Sequence, residues 1–189
     1  MPRLILASAS PRRLELLRQI GITPDRVEPS FADESVRARE LPRAHAARLA
    51  DAKARAVARG FPQDFVLAAD TVVACGRRIL PKALDEATAR LCLERLSGRR
   101  HRVIGAVALI APGGRAGARL ATTIVAFKRL ERQEIAAYLA SGEWHDKAGG
   151  YAIQGRAAAF VRHLSGSYSN VVGLPLYETA ALLRGFGYL

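Results

Sequence analysis

Residues 65–82, FVLAADTVVACGRRILPK, constrain the fold of this chain more than any other stretch. The apolar run is bounded by Pro62 and Gly76, too short for a helix and rich in strand formers, so it reads as a buried central strand. One carboxylate, Asp70, interrupts it and is followed by Thr71. An ionised group inside such a run is costly unless something pairs with it or it faces a wet cleft. Asp70 is therefore either a salt-bridged strand residue or a functional one.

The rest of the chain alternates strand-like and helix-like segments around this run. Residues 3–8 (RLILAS) read as a short first strand. Ser10-Pro11 then starts a helix, with Ser10 as N-cap, Pro11 at the first helical position and Gly21 as C-terminal cap. Leu14, Leu17 and Ile20 mark its apolar face. Residues 27–31 read as a second strand leading to Asp33-Glu34. Residues 42–59 form an Ala/Arg-rich helix with Leu49 and Val57 on its apolar stripe, in which Lys53 reads as one more surface lysine. Residues 75–80 turn at Gly76 as a hairpin, and Asp85 caps a helix running to Leu96 and closed by Gly98. Residues 103–110 and 119–127 flank APGGRAG as a β-hairpin. A helix over 131–140 follows, then a Gly-rich loop and short strand carrying Gln154, a strand over 158–164, GSYSN as a polar loop, and a closing helix over 175–184. The expected architecture is α/β. A mixed, mostly long twisted sheet is flanked by helices, with two lobes around a cleft, as one domain over residues 1–189.

The start of the first helix is chemically odd. Arg12 and Arg13 sit in its first turn, where cations oppose the helix dipole at a cost of about 0.3–1 kcal/mol each. Free backbone N–H groups, the hydroxyls of Ser8 and Ser10 and two guanidinium groups together make a phosphate cradle. Acids at Glu34 and Asp70, lysines at Lys53 and Lys82, and a polar Gln154 near glycines complete a set suited to phosphoryl transfer from a nucleotide. Carboxylates can hold a divalent cation and the cations neutralise phosphate charge. No Ser-His-acid or Cys-His spacing suggests a covalent intermediate, and the four histidines show no metal-ligand pattern.

A net charge of +12 calls for an anionic partner. The cations are scattered along helical segments, and no zinc finger, RNP-type motif or long basic tract is present, so a stable nucleic-acid partner is not expected. No apolar run reaches the length of a membrane span. MPRLILASAS lacks the regions of a signal peptide, and Cys75 and Cys92 have no metal or redox spacing, so a cytoplasmic setting is expected.

LASASPRR, AADTVV, LSGRRHRV, DKAGGYAIQG and GSYSNVVGLPLYET, taken in this order from Leu4 to about Leu183, resemble the Maf family of nucleoside triphosphate pyrophosphatases. The resemblance implies an inosine-triphosphate-pyrophosphatase-like fold. It also implies metal-dependent hydrolysis of a nucleoside triphosphate to the monophosphate and pyrophosphate, with magnesium or manganese as the divalent cation. By the same resemblance, Asp70 matches the general base that activates water for attack on the α-phosphorus. Arg13, Lys53 and Lys82 match phosphate-binding and charge-stabilising positions, Ser8 and Ser10 line the N-terminal loop, and Glu34 is a metal-site residue together with Asp70. Arg12, Thr71 and Gln154 resemble the set of the dTTP/UTP branch rather than the 7-methyl-GTP branch. A Gln amide offers one acceptor and one donor, matching the O4 and N3–H edge of uracil or thymine. The alternatives are the same chemistry on a modified purine triphosphate and a non-catalytic basic regulator of septum formation. A homodimer is compatible with either. Two departures stand out: Pro81-Lys82-Ala83 where the family usually has Gly-Lys-Pro, and Ile104-Gly105 where a threonine usually precedes the glycine. The first puts the aim of Lys82 in question.

Overall fold

A computed structural model describes residues 2–189. Its frame is a seven-stranded mixed sheet built on three long strands, β3 (Phe65–Cys75), β6 (Arg100–Ile110) and β7 (Ala116–Phe127). These pair antiparallel, as the apolar runs require once APGGRAG closes the β6–β7 hairpin. The first strand, β1 (Leu4–Ala7), lies parallel to β3, and β2 (Arg26–Val27) adds parallel to β1 at the edge. On the far side β9 (Val161–Ser165) pairs with β7. A small second sheet joins β5 (Lys82–Ala83) to β8 (Lys147–Ala148).

One detail of this topology makes the site. Strand β1 pairs with β3 only as far as Ala68, and β4 (Arg78–Leu80) takes up the same edge only from Val73. Between them, residues 69–72 have no strand partner on that side among the described residues. Their free edge forms a notch just beyond the carboxyl end of β1, the place where open α/β sheets commonly receive ligands.

Helices cover both faces. On one face α2 (Pro42–Ala58) packs Ala46, Ala50, Ala54 and Val57 against Val66, Ala68, Ile104 and Ala106. Small alanines on the helix let it lie close to the sheet. The other face carries two separate cores. Near β1, helices α1 (Pro11–Gln19) and α6 (Leu176–Gly185) bury Leu16, Leu17, Leu182 and Leu183 against Leu67, Val107 and Leu109. Toward the other end, α3 (Glu86–Leu96) and α4 (Arg132–Ala140) bury Leu93, Leu96 and Tyr138 with Val103, Val125 and Phe127. The two cores are the two expected lobes, and the notch opens between them.

Several local expectations need correction. Ser10 is the N-cap residue of α1, but its side chain makes no capping bond, and its N–H is instead taken by the Ser8 hydroxyl. The apolar face of α1 is Leu16 and Leu17 with the partly buried Leu14, as expected for Leu14 and Leu17, while Ile20 is exposed because the sheet lies on the other side. Only Arg26–Val27 pairs as a second strand; the rest of 27–31 has no partner strand. Residues 156–160 form a 3₁₀ turn before β9 rather than its first half. GSYSN is not a loop, because Ser167 accepts from the Asn170 N–H and caps a short helix, α5 (Tyr168–Val172). Gln154 lies in a turn, not in a strand. By contrast Asp85 caps α3 through Thr88, and Gly76 turns the β3–β4 hairpin, as expected.

Candidate active site

The notch is the floor of a cleft of about 160 Å³, and every candidate residue reaches it: Ser8, Ser10, Arg12, Arg13, Glu34, Lys53, Asp70, Thr71, Lys82 and Gln154. The pleat of β3 explains how one strand serves it from both sides. Successive side chains alternate across a strand, so Asp70 faces α2 while Thr71 faces α1. With no neighbouring strand on that edge, both remain accessible to the same space.

Asp70 is buried and ion-pairs through Oδ1 with Lys53 Nζ at 2.7 Å. Lys53 is not a surface lysine. It sits on the buried face of α2, and only its ammonium emerges in the notch. The same ammonium is gripped by Glu34 Oε1 at 2.5 Å, while Glu34 Oε2 reaches Lys82 Nζ at 2.9 Å. Partial burial would raise the Glu34 carboxyl, but hydrogen bonds and charge from Lys53 and Lys82 outweigh it and hold the group at about 2. Lys82 therefore aims into the site despite Pro81 and Ala83, because its strand is fixed by the ladder to β8.

Glu34 comes from a segment without regular structure, which needs an anchor. Glu40 provides it, accepting from Arg48 Nε at 2.6 Å and Nη2 at 2.8 Å, from the Arg37 N–H, and pairing with His45. Arg48 also donates to the Ser35 carbonyl at 2.9 Å. This knot ties the loop to α2 directly beside Glu34. The Arg48 guanidinium holds the Glu40 carboxyl well below the usual carboxylate range. Nothing in local periodicity marks Glu40, His45 and Arg48 as a unit, since each reads alone as a polar helical or loop residue.

The arginine side of the cleft is equally fixed. Arg13 Nε donates to the Gly173 carbonyl at 2.9 Å and its two terminal nitrogens reach Ser8 Oγ at 3.1 Å and Thr71 Oγ1 at 3.4 Å. Burial pulls its guanidinium below the ordinary value, with Asp70 and Glu34 acting the other way. A guanidinium starts so far above neutrality that it remains charged. Its partners are all neutral oxygens, so its charge is not cancelled by an ion pair. Arg12, half-buried, makes no ion pair among the described residues, and desolvation lowers it while Asp146 offsets part of the effect.

The second lobe supplies residues that sequence reasoning missed. Asp146, Lys147 and Tyr151 line the cleft beside Gln154. They lie in DKAGGYAIQG, so the signal was present, but periodicity alone did not separate lining residues from packing ones. Asp146 takes a left-handed backbone with φ 55° and its N–H donates to the Ala83 carbonyl, which locks the loop to β5. Gly149 has φ 68°, and a Cβ there would come within 2.8 Å of Val73, so only glycine lets this loop lie on β3. Behind it, the buried His101 Nε2 meets Tyr151 Oη at 2.8 Å.

Two carboxylates from different elements converge on one cationic position, beside unpaired arginine. Glu34 and Asp70 are thus the residues that could hold a divalent cation. Among the described residues no group of three or more His, Cys, Asp or Glu side chains makes a cage of protein ligands alone. That donor set fits magnesium-like chemistry, in which one or two carboxylates share the ion with substrate phosphate oxygens and water.

The chain is similar to known proteins over nearly its whole length. Residues 3–186 match the family model described as Maf-like protein. Relatives called dTTP/UTP pyrophosphatase include that of Paramagnetospirillum magneticum, 68% identical over 100% of this chain and 99% of its own length. That of Rhodospirillum rubrum is 65% identical over 98% and 88%, and that of Caulobacter vibrioides 62% identical over 99% and 97%. The solved Ham1 protein of Staphylococcus aureus aligns over 97% of this chain and 96% of its own at 13% identity and a TM-score of 0.49, a likeness too distant to carry an argument.

Proposed function

The chain belongs to the Maf family, and from that premise we propose that it hydrolyses nucleoside triphosphates, dTTP and UTP first among them, to the monophosphate and pyrophosphate. The observation that carries the reading is the Lys53 ammonium held between Glu34 and Asp70 at the sheet notch, facing an uncompensated Arg13. Nothing in the cleft is arranged for covalent catalysis. Its charges are arranged to position a polyphosphate and a water, which is most of what phosphoryl transfer asks of a protein.

In this reading Asp70 takes the proton from a water attacking the α-phosphorus, with Lys53 fixing its carboxylate. Arg13, pinned by Ser8, Thr71 and the Gly173 carbonyl, presents its charge to the phosphates, and Ser8 and Ser10 line the turn that receives them. Lys82 offsets charge from the second lobe. A divalent cation, held by Glu34 and Asp70, would neutralise further phosphate charge when bound. Gln154, exposed at the cleft mouth, meets the pyrimidine edge with one donor and one acceptor, with Arg12 and Thr71 beside it. We treat residues 1–189 as one pyrophosphatase domain, because the cleft draws residues from Ala7 through Gly173. No helix among the described residues is long and apolar enough to cross a membrane. The substrates are metabolites of the cytoplasm, and we place the enzyme there.

Pyrophosphate release with magnesium or manganese, measured across dTTP, UTP, CTP, GTP and 7-methyl-GTP, tests the proposal. Release from dTTP and UTP that is lost in Asp70→Asn, with nucleotide binding kept, is the expected result. A purine preference would overturn the role given to Gln154, and absence of turnover with every triphosphate would overturn the reaction.

A further inference from the structure

The cleft is lined by five cations, Arg12, Arg13, Lys53, Lys82 and Lys147, against three carboxylates, Glu34, Asp70 and Asp146. Lys53 and Lys82 are already engaged by Glu34 and Asp70. Arg13 is held by neutral oxygens on the first lobe. That leaves Arg12 and Lys147, which reach the cleft from elements of different lobes. Arg12 belongs to α1 and the core beneath it, whereas Lys147 belongs to β8, whose neighbour Ala148 packs in the other core.

Both residues are half-buried, and among the described residues no carboxylate forms an ion pair with either. Burial first, and then the charge of Arg12, draw the Lys147 ammonium below its ordinary value, with Asp146 and Glu143 acting the other way. Among the described residues, the only side-chain hydrogen bond of Lys147 runs from Nζ to the His145 carbonyl at 2.8 Å, a neutral partner in its own loop. The backbone of that loop is independently fixed, by the β5–β8 ladder, by the Asp146 N–H on Ala83 and by the close fit of Gly149 on Val73. Two like charges held in one opening by two separately built lobes are unfavourable in the empty cleft and favourable once an anion lies between them. Their placement is that of a clamp.

We propose that Lys147 is a phosphate-binding residue of this cleft, closing on the triphosphate chain from the lobe opposite Arg12. The inference rests on the pyrophosphatase reading for the identity of the anion. It gives the second lobe a task beyond shaping the cleft, since substrate that touches both Arg12 and Lys147 cancels the repulsion between the lobes.

The test uses the full chain and the variants Lys147→Gln and Lys147→Arg. Gln keeps a donor for the His145 carbonyl but no charge, and each protein is first melted to establish that it folds as the parent does. Steady-state kinetics with UTP and calorimetric binding of inorganic tripolyphosphate are then compared. A lost charged hydrogen bond corresponds to roughly a tenfold to hundredfold effect. The expected result in Lys147→Gln is a KM for UTP raised, and a tripolyphosphate affinity lowered, by that factor, with the larger change in KM rather than kcat and with Lys147→Arg recovering most of both. A folded Lys147→Gln protein with unchanged KM and unchanged tripolyphosphate affinity overturns the proposal. A parent protein that turns over no nucleotide would instead overturn the reaction assignment, and tripolyphosphate binding would still decide the role of Lys147.

Discussion

His101 sets a stability dependence on pH that can be worked from the structure. Its ring is buried beneath the loop carrying Tyr151, with Nε2 at 2.8 Å from the Tyr151 hydroxyl and Nδ1 without any partner. An imidazolium would place a second N–H where nothing accepts it. Burial accordingly pushes the imidazole down from 6.5 to about 4. The unfolded chain therefore binds a proton near pH 6.5 that the folded chain refuses until about pH 4. Through that window the unfolded state holds more protons, so stability falls as pH falls. At about 1.4 kcal/mol per pH unit the loss is about 2 kcal/mol by pH 5 and roughly 3 kcal/mol by pH 4. Those are large fractions of the roughly 5–15 kcal/mol that holds a domain together. Urea unfolding at pH 7, 6, 5 and 4.5 should show the loss in the parent. It should be about 2 kcal/mol smaller in His101→Gln, which retains an amide toward Tyr151 but cannot titrate. Glu34 does not share the window. Its folded carboxyl lies at about 2, below its unfolded value, so its contribution is present above about pH 4.5 and is lost only as pH falls toward 2. Parallel curves for parent and His101→Gln between pH 7 and 4.5 would refute the assignment.

Lys53→Met should leave the Glu34 and Asp70 carboxylates facing one another without their shared cation. Losing one member of a buried ion pair costs about 3–5 kcal/mol, and a larger rise in Tm on adding magnesium than the parent shows would reveal the vacated cation position; an equal rise in both proteins would refute that reading. Gly105→Ala tests the positioning of Arg13. A Cβ at Gly105 would stand 1.9 Å from Asn170 Oδ1; bonds to the Val103 carbonyl and Thr123 Oγ1 hold that amide in place, so relief is expected to move α5, and with it the Gly173 carbonyl that anchors Arg13. Overpacking of this kind costs about 1–3 kcal/mol, and thermal unfolding should show it together with a raised KM for UTP. An unchanged KM in a folded variant would refute the coupling of Gly105 to Arg13 through α5.

Most of the fold was legible because its determinants are local. The apolar runs of β3 and β6 have strand length, Asp85 and Gly76 have the chemistry of a cap and a turn, and Arg12-Arg13 at a helix start are costly enough to announce an anion. The boundaries that misread are those where a neighbour decides. Residues 28–31 have no strand to pair with, and Ser167 finds a free N–H at Asn170, so a polar loop becomes a helical turn.

The sequence by itself determined the kinds of group available: hydroxyls and guanidiniums at one turn, a carboxylate within a buried strand, and glycines that allow a loop to lie flat on the sheet. Only the tertiary structure decided which of them share charge. Lys53 lies in a helix whose composition is that of a solvated face, and it is buried because that face packs on the sheet at the level of Asp70. The Glu40–Arg48 knot and the opposition of Lys147 to Arg12 join residues that no periodicity relates. Coulombic and hydrogen-bond energies depend on separation in space and on burial, and neither is set until the two lobes close on the notch that β1 and β4 leave open beside β3.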